Sequence, residues 1–113
     1  MSARGEARLW VVQRATAVAL ALCVVVHLAT IIYAVRGGLS AAEILARTRG
    51  SFAWGGFYAV FVLAAAAHGS IGVRAVAMER LGLGKAGAGR LMLAVAIAFA
   101  LLGLRAVYAV VAS

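Results

Sequence analysis

The fold class this sequence predicts is all-α: an integral membrane three-helix bundle with a short surface helix in its first loop. Three observations predict it. Of 113 residues, 66% are hydrophobic and only 12% are charged, which is too apolar for a water-soluble single domain. The charges are gathered into short patches, leaving three long apolar runs, each able to cross a ~30 Å hydrocarbon core as a helix. No proline interrupts them.

The formal net charge of +8 would suggest nucleic acid in a soluble protein. Here the basic residues stand at the ends of apolar runs, and no basic face carries interleaved aromatics. Membrane-flanking arginines explain the charge, through anionic headgroups and the direction of insertion. Cys23 is the single cysteine, so no internal disulfide is available, and its place mid-run reads as a small buried hydrophobe. The first run is too long for a signal-peptide core, and a charged segment follows it rather than a small-residue cleavage site, so it is expected to remain as a span.

In chain order, residues 1–13 read as a short, basic, mobile segment with Trp10 at headgroup level. The first span covers about 12–35; Tyr33 marks its far interface and Arg36 closes it. Gly37-Gly38 ends the helix, and Ser40-Ala41-Ala42-Glu43 is a capping-box pattern that predicts a short surface helix over 40–47. The second span covers about 51–74, opening on an interfacial cluster of Phe52, Trp54, Phe57 and Tyr58. Around His68 it carries Ala64-Ala65-Ala66-Ala67 and Gly69, small residues that admit a neighbouring helix or a flat cofactor. Residues 74–90 read as a polar, flexible connection. Gly82-Leu83-Gly84-Lys85-Ala86-Gly87 within it spells GxGxxG, but no strand precedes it, so a nucleotide site is not expected. The third span covers about 90–112 and contains Arg105. All of this is one domain.

The N-terminal segment and second loop carry Arg4, Arg8, Arg14, Arg74, Arg80, Lys85 and Arg90, against Arg36, Arg47 and Arg49 in the first loop. The positive-inside rule then places the N-terminus in the cytoplasm of a bacterial inner membrane and the C-terminus outside.

Four ionisable residues lie within or at the edge of the spans: Arg14, His27, His68 and Arg105. Ionisable groups at such depth are functional candidates. A membrane histidine can simply hydrogen-bond between helices. Two of them on two spans, one amid small residues, point to axial ligation of haem b. With Arg14 and Arg74 marking one face, His27 lies about 20 Å deep and His68 about 9 Å. Ligating one upright haem from both sides needs the two imidazoles near one level. The expectation is therefore two haems, each completed by a partner chain, either a second anchor subunit or a second copy. Arg105 falls near the level of His27, where it either pairs a haem propionate or snorkels to the headgroups. Arg74 has the same choice near His68, between a propionate and an ordinary interface position. Gln13, Arg14 and Thr16 put donors just inside the cytoplasmic face, suited to a quinone carbonyl or a propionate, or to plain anchoring.

The pattern resembles the membrane anchor subunits of succinate dehydrogenase and fumarate reductase. The first span of that family often opens with Arg-x-(Ser/Thr)-(Gly/Ala), here Arg14-Ala15-Thr16-Ala17. The second carries His-x-x-x-Gly-x-Arg and a following acid, here His68, Gly72, Arg74 and Glu79. The resemblance covers two spans and the loop after them. It implies haem b on His68, a quinone near Arg14 and Thr16, and docking of an iron–sulfur subunit and a flavoprotein on the cytoplasmic side. His27 is similar to two-haem members of the family. The implied role is electron transfer between the iron–sulfur subunit and the membrane quinone, with succinate chemistry at a flavin elsewhere. Two other readings compete: a cytochrome b anchor of the hydrogenase or formate dehydrogenase type, and a small non-redox membrane protein whose histidines only pack.

Overall fold

The computed structural model describes residues 2–113. Four helices follow one another: α1 (Ala3–Arg36), α2 (Ala41–Thr48), α3 (Phe52–Arg80) and α4 (Lys85–Val111). The three long ones are each long and apolar enough to cross a membrane, so this is a multi-pass membrane protein. At 34, 29 and 27 residues they run past a ~30 Å hydrocarbon core at their ends.

Those overhangs correct the sequence reading at one face. Residues 1–13 were expected to be mobile, yet α1 starts at Ala3, with the Ser2 hydroxyl accepting from the Gly5 N–H (3.2 Å). Glu6 lies in its first turn, where a carboxylate suits the helix dipole. The polar connection expected over 74–90 is likewise mostly helix. α3 runs on to Arg80 and α4 begins at Lys85, leaving a four-residue turn, 81–84. Charges outside the hydrocarbon do not break a helix rich in Ala, Met, Glu and Arg, so polarity was a poor guide to loop. Of the GxGxxG letters, Gly82 adopts a positive φ (68°) and Gly87 is already helical, so no phosphate-cradling loop exists.

The surface helix forms as its capping box predicts. The Glu43 N–H donates to the Ser40 hydroxyl (3.2 Å) and the Ser40 N–H donates to the Glu43 carboxylate (2.7 Å). Gly38 and Gly50, with φ of 63° and 71°, make the turns on either side of it. Its far end is tied to α4: the Thr48 hydroxyl donates to the Val110 carbonyl (2.6 Å) and the Gly50 N–H to the Val111 carbonyl (2.8 Å). These bonds satisfy C-terminal carbonyls that α4 cannot pair itself.

α3 is the central helix. It packs along α4 and along α1, while α1 and α4 scarcely meet. Small residues set the spacing, as is usual without a hydrophobic drive between membrane helices. Ala64, Ala66, Ala77 and Ala88 are buried, and a Cβ on Gly103 would collide with the Val62 side chain. Long aliphatic side chains such as Val18, Leu22, Val25, Leu101 and Leu102 stay exposed, as a lipid-facing surface requires. Cys23 is buried.

Candidate haem-ligand site

α1 and α3 run antiparallel, and their contact brings Glu6, Arg74, Gln13, Thr16 and His68 into one file. At one end Arg74 is buried and its Nη2 donates to the Glu6 carboxylate at 2.6 Å. Next along α1, Gln13 lies beside Gly72, its Oε1 buried and without a partner. Then Thr16 meets His68, Oγ1 to Nδ1 at 3.2 Å.

The Thr16 hydroxyl lies within bonding distance of the Val12 carbonyl (2.7 Å), the Gln13 carbonyl (3.1 Å) and His68 Nδ1. With its one proton on the shortest of these, to Val12, its oxygen accepts from Nδ1–H and Nε2 keeps a lone pair. Such a ring is oriented and ready to bind a metal through Nε2, since ligating histidines usually donate their other N–H to a neighbour.

His27 sits differently. It lies eleven residues beyond Thr16 on the same helix, about 16 Å along the axis. Its ring meets Tyr58 and Phe61 edge to face, with centroids 5.8 and 5.5 Å away. Nδ1 is buried with no partner. Two contiguous cavities, of about 250 and 510 Å³, adjoin it and share His27, Ile44, Thr48 and Tyr58. One metal cannot take both histidines at this separation. Among the described residues no group of three or more His, Cys, Asp or Glu is placed to hold an ion.

A family model described as succinate dehydrogenase/fumarate reductase transmembrane subunit matches residues 1–106. The chain belongs to this family. It is therefore a transmembrane subunit of a larger complex, with partner subunits. Comparison with curated proteins and with solved structures finds no match.

Within this anchor subunit the other expected site residues are scattered. Arg14 and Thr16 are two positions apart and leave α1 on different faces. Arg14 is exposed, its guanidinium 5.3 Å from the centre of the Trp10 ring. Arg105 is exposed, and Gly103, Ala106 and Val107 turn the other side of α4 to the His27 cavity. Of the aromatics expected at the interface only Phe52 is fully exposed; Trp54, Phe57 and Tyr58 cluster with one another, and Tyr58 reaches His27. The residue that the sequence reading passed over is Glu6. The signal was available: the chain has three acids, and a buried arginine needs one of them.

Proposed function

We propose that this anchor subunit binds haem b through Nε2 of His68 and passes electrons between an iron–sulfur subunit and membrane quinone. The observation that supports the reading is the contact between the Thr16 hydroxyl and His68 Nδ1, which holds the ring by the nitrogen that a haem ligand does not use. The small residues beside it, Ala64 to Ala67 and Gly69, suit a flat macrocycle. The bound haem supplies one-electron chemistry. The chain's own part is to hold His68 in orientation and to keep the site within packed, apolar helices.

The second axial ligand comes from a partner chain, a second anchor subunit or a second copy. A flavoprotein completes the electron route beyond the iron–sulfur subunit. The family assignment disfavours an anchor of the hydrogenase or formate dehydrogenase type. Arg74 is already charge-balanced by Glu6, so a propionate there shares the guanidinium with that carboxylate. Arg14, exposed on α1, is the residue available to a quinone bound between this chain and a neighbour; Thr16 is committed to His68. Arg105, turned away from the His27 cavity, serves a partner-side propionate or the headgroups. A second haem on His27 is the companion reading, favoured by the depth of that residue and the cavities beside it. The N-terminal face is the cytoplasmic one in this scheme.

The test is the visible spectrum of the purified complex. His68→Ala removes a b-type α-band in the reduced state. An unchanged spectrum in the assembled variant complex rejects His68 as ligand.

A further inference from the structure

α4 turns one side to the bundle and presents another to the membrane. Gly103, Val107 and Val110 face the His27 cavity. Arg105 lies two residues from both Gly103 and Val107, about half a turn round the helix. It is exposed, and Ala94, Ala98, Leu101 and Ala109 share its face at helical spacing. On α1 the exposed face is built from Val18, Leu22 and Val25, the large aliphatic surface usual against lipid. On α4 most of the file is alanine, which lets another helix approach closely.

Arg105 has no counter-ion within the chain. Of the three acids, Glu6 is paired with Arg74 at the other end of the bundle, the one ion pair among the described residues. Glu79 stands beside Arg80 at the end of α3, on that same distant side. Glu43 is engaged by the Ser40 N–H, and its helix is tied to α4 at Val110, on the bundle side. Arg105 lies inside the end of α4 at Val111, about 9 Å along the axis. A side chain at that depth can snorkel to the headgroups. Snorkelling does not account for Ala94 and Ala98, which stand about 26 and 20 Å from the same end. A neighbouring helix accounts for both features. The alanines let it come close, and a carboxylate on it balances the guanidinium, the usual arrangement for charged residues in membranes.

We infer that the outer face of α4 is a docking surface for a transmembrane helix of a different chain, one that carries an aspartate or glutamate at the depth of Arg105. The inference rests on the proposed second anchor subunit and commits Arg105 to it. A second copy is the wrong occupant. Copies inserted the same way set Arg105 against Arg105 at one depth across this face, two like charges. Nor does a copy bring a carboxylate, since the three acids all lie outside the apolar runs.

The experiment places a photocrosslinking amino acid in place of Leu101, between Ala98 and Arg105, in the whole complex, and identifies the adduct by mass spectrometry. The expected adduct is with the second anchor subunit. Retention of that subunit in the detergent-purified complex is the second measurement. Arg105→Leu loses a charge-assisted contact and lowers retention about tenfold, while Arg105→Lys keeps most of it. Ala98→Leu fills the close approach and lowers retention with Arg105 still present. Arg105→Gln repeats the charge test should Arg105→Leu fail to insert. Arg105→Asp, combined with arginine in place of the partner's acid, restores retention. Four outcomes overturn the inference: an adduct with a second copy, adducts with lipid alone, retention unchanged in Arg105→Leu, or b-type absorbance lost in Arg105→Leu with the partner still bound, which marks a haem propionate as the acceptor. The adduct is read by mass and needs no haem, so the docking face and the ligand role of His68 fail separately.

Discussion

Glu6 and Arg74 join the first turn of α1 to the far half of α3 across 68 positions of sequence, with Nη2 and Oε1 2.6 Å apart. Arg74 is buried, whereas Glu6 is partly open to solvent. Removing the two partners therefore has unequal consequences. Glu6→Gln leaves a buried cation without its counter-ion, while Arg74→Gln leaves an anion that water can reach. The expected order of thermal stability in the purified complex is wild type, then Arg74→Gln, then Glu6→Gln, with the double variant above Glu6→Gln. Equal destabilisation by the two single changes would contradict this asymmetry.

With haem on His68 as proposed, the bond between Thr16 and the ring predicts a graded haem phenotype. Thr16→Val removes the acceptor for Nδ1–H and weakens haem retention by about 10–100-fold, the usual effect of losing such a neighbour. The imidazole becomes a poorer donor, the ferric state loses stabilisation, and the midpoint potential of the remaining haem rises. Thr16→Ser restores both. Redox titration of the three proteins checks this; a potential that does not respond to Thr16→Val while haem content falls would reduce Thr16 to a packing residue.

Because His27 stands about 16 Å from the level of His68, His27→Ala is expected to leave the haem proposed on His68 in place. Haem content per complex is the measurement. Loss of all haem in His27→Ala would mean that the two residues act on one site.

Much of this architecture was legible because long-range packing had little to override. The spans follow from apolar length alone, and α2 follows from four letters whose side chains cap their own helix. His68 stands out as a candidate because a membrane histidine among alanines has few structural uses, and its ring meets Thr16 across the α1–α3 contact. What counting could not supply was direction around the helix. Arg14 and Thr16 are near neighbours in sequence and point to different faces. Arg105 shares a depth with His27 and lies on the wrong side of α4 to meet it. Trp54, Phe57 and Tyr58 read as an interfacial cluster, and helical spacing sets their rings against one another. Glu6 was missed for another reason. A charged N-terminal stretch looks like a tail until the helix under it is seen to continue past the membrane.

At Gly103 the backbone of α4 comes so close to Val62 that any side chain must displace it. Gly103→Ala is an overpacking change, expected to cost about 1–3 kcal/mol. Val62→Ala makes room, so the double variant recovers most of that loss. Thermal unfolding of the complex measures both. Because the contact borders the His27 cavity and lies far from Thr16, Gly103→Ala is expected to leave the His68 spectrum unaltered.

The capping box of α2 makes that helix sensitive to acid. The Glu43 carboxylate is held below its ordinary range, first by the Ser40 N–H, then by the Ser40 side chain, with Arg47 adding a favourable charge. A depressed folded-state pKa contributes stability above the unfolded value of roughly 4.3, and the contribution is lost as pH falls through the lower folded value. Protection of α2 from hydrogen exchange, corrected for the intrinsic pH dependence of exchange, is therefore expected to be flat from neutrality down to the carboxylate range and to decline below it. Glu43→Gln keeps an acceptor for the Ser40 N–H but no longer titrates, so its corrected protection starts lower and stays level with pH. A variant that still loses protection in acid would trace the effect to another group.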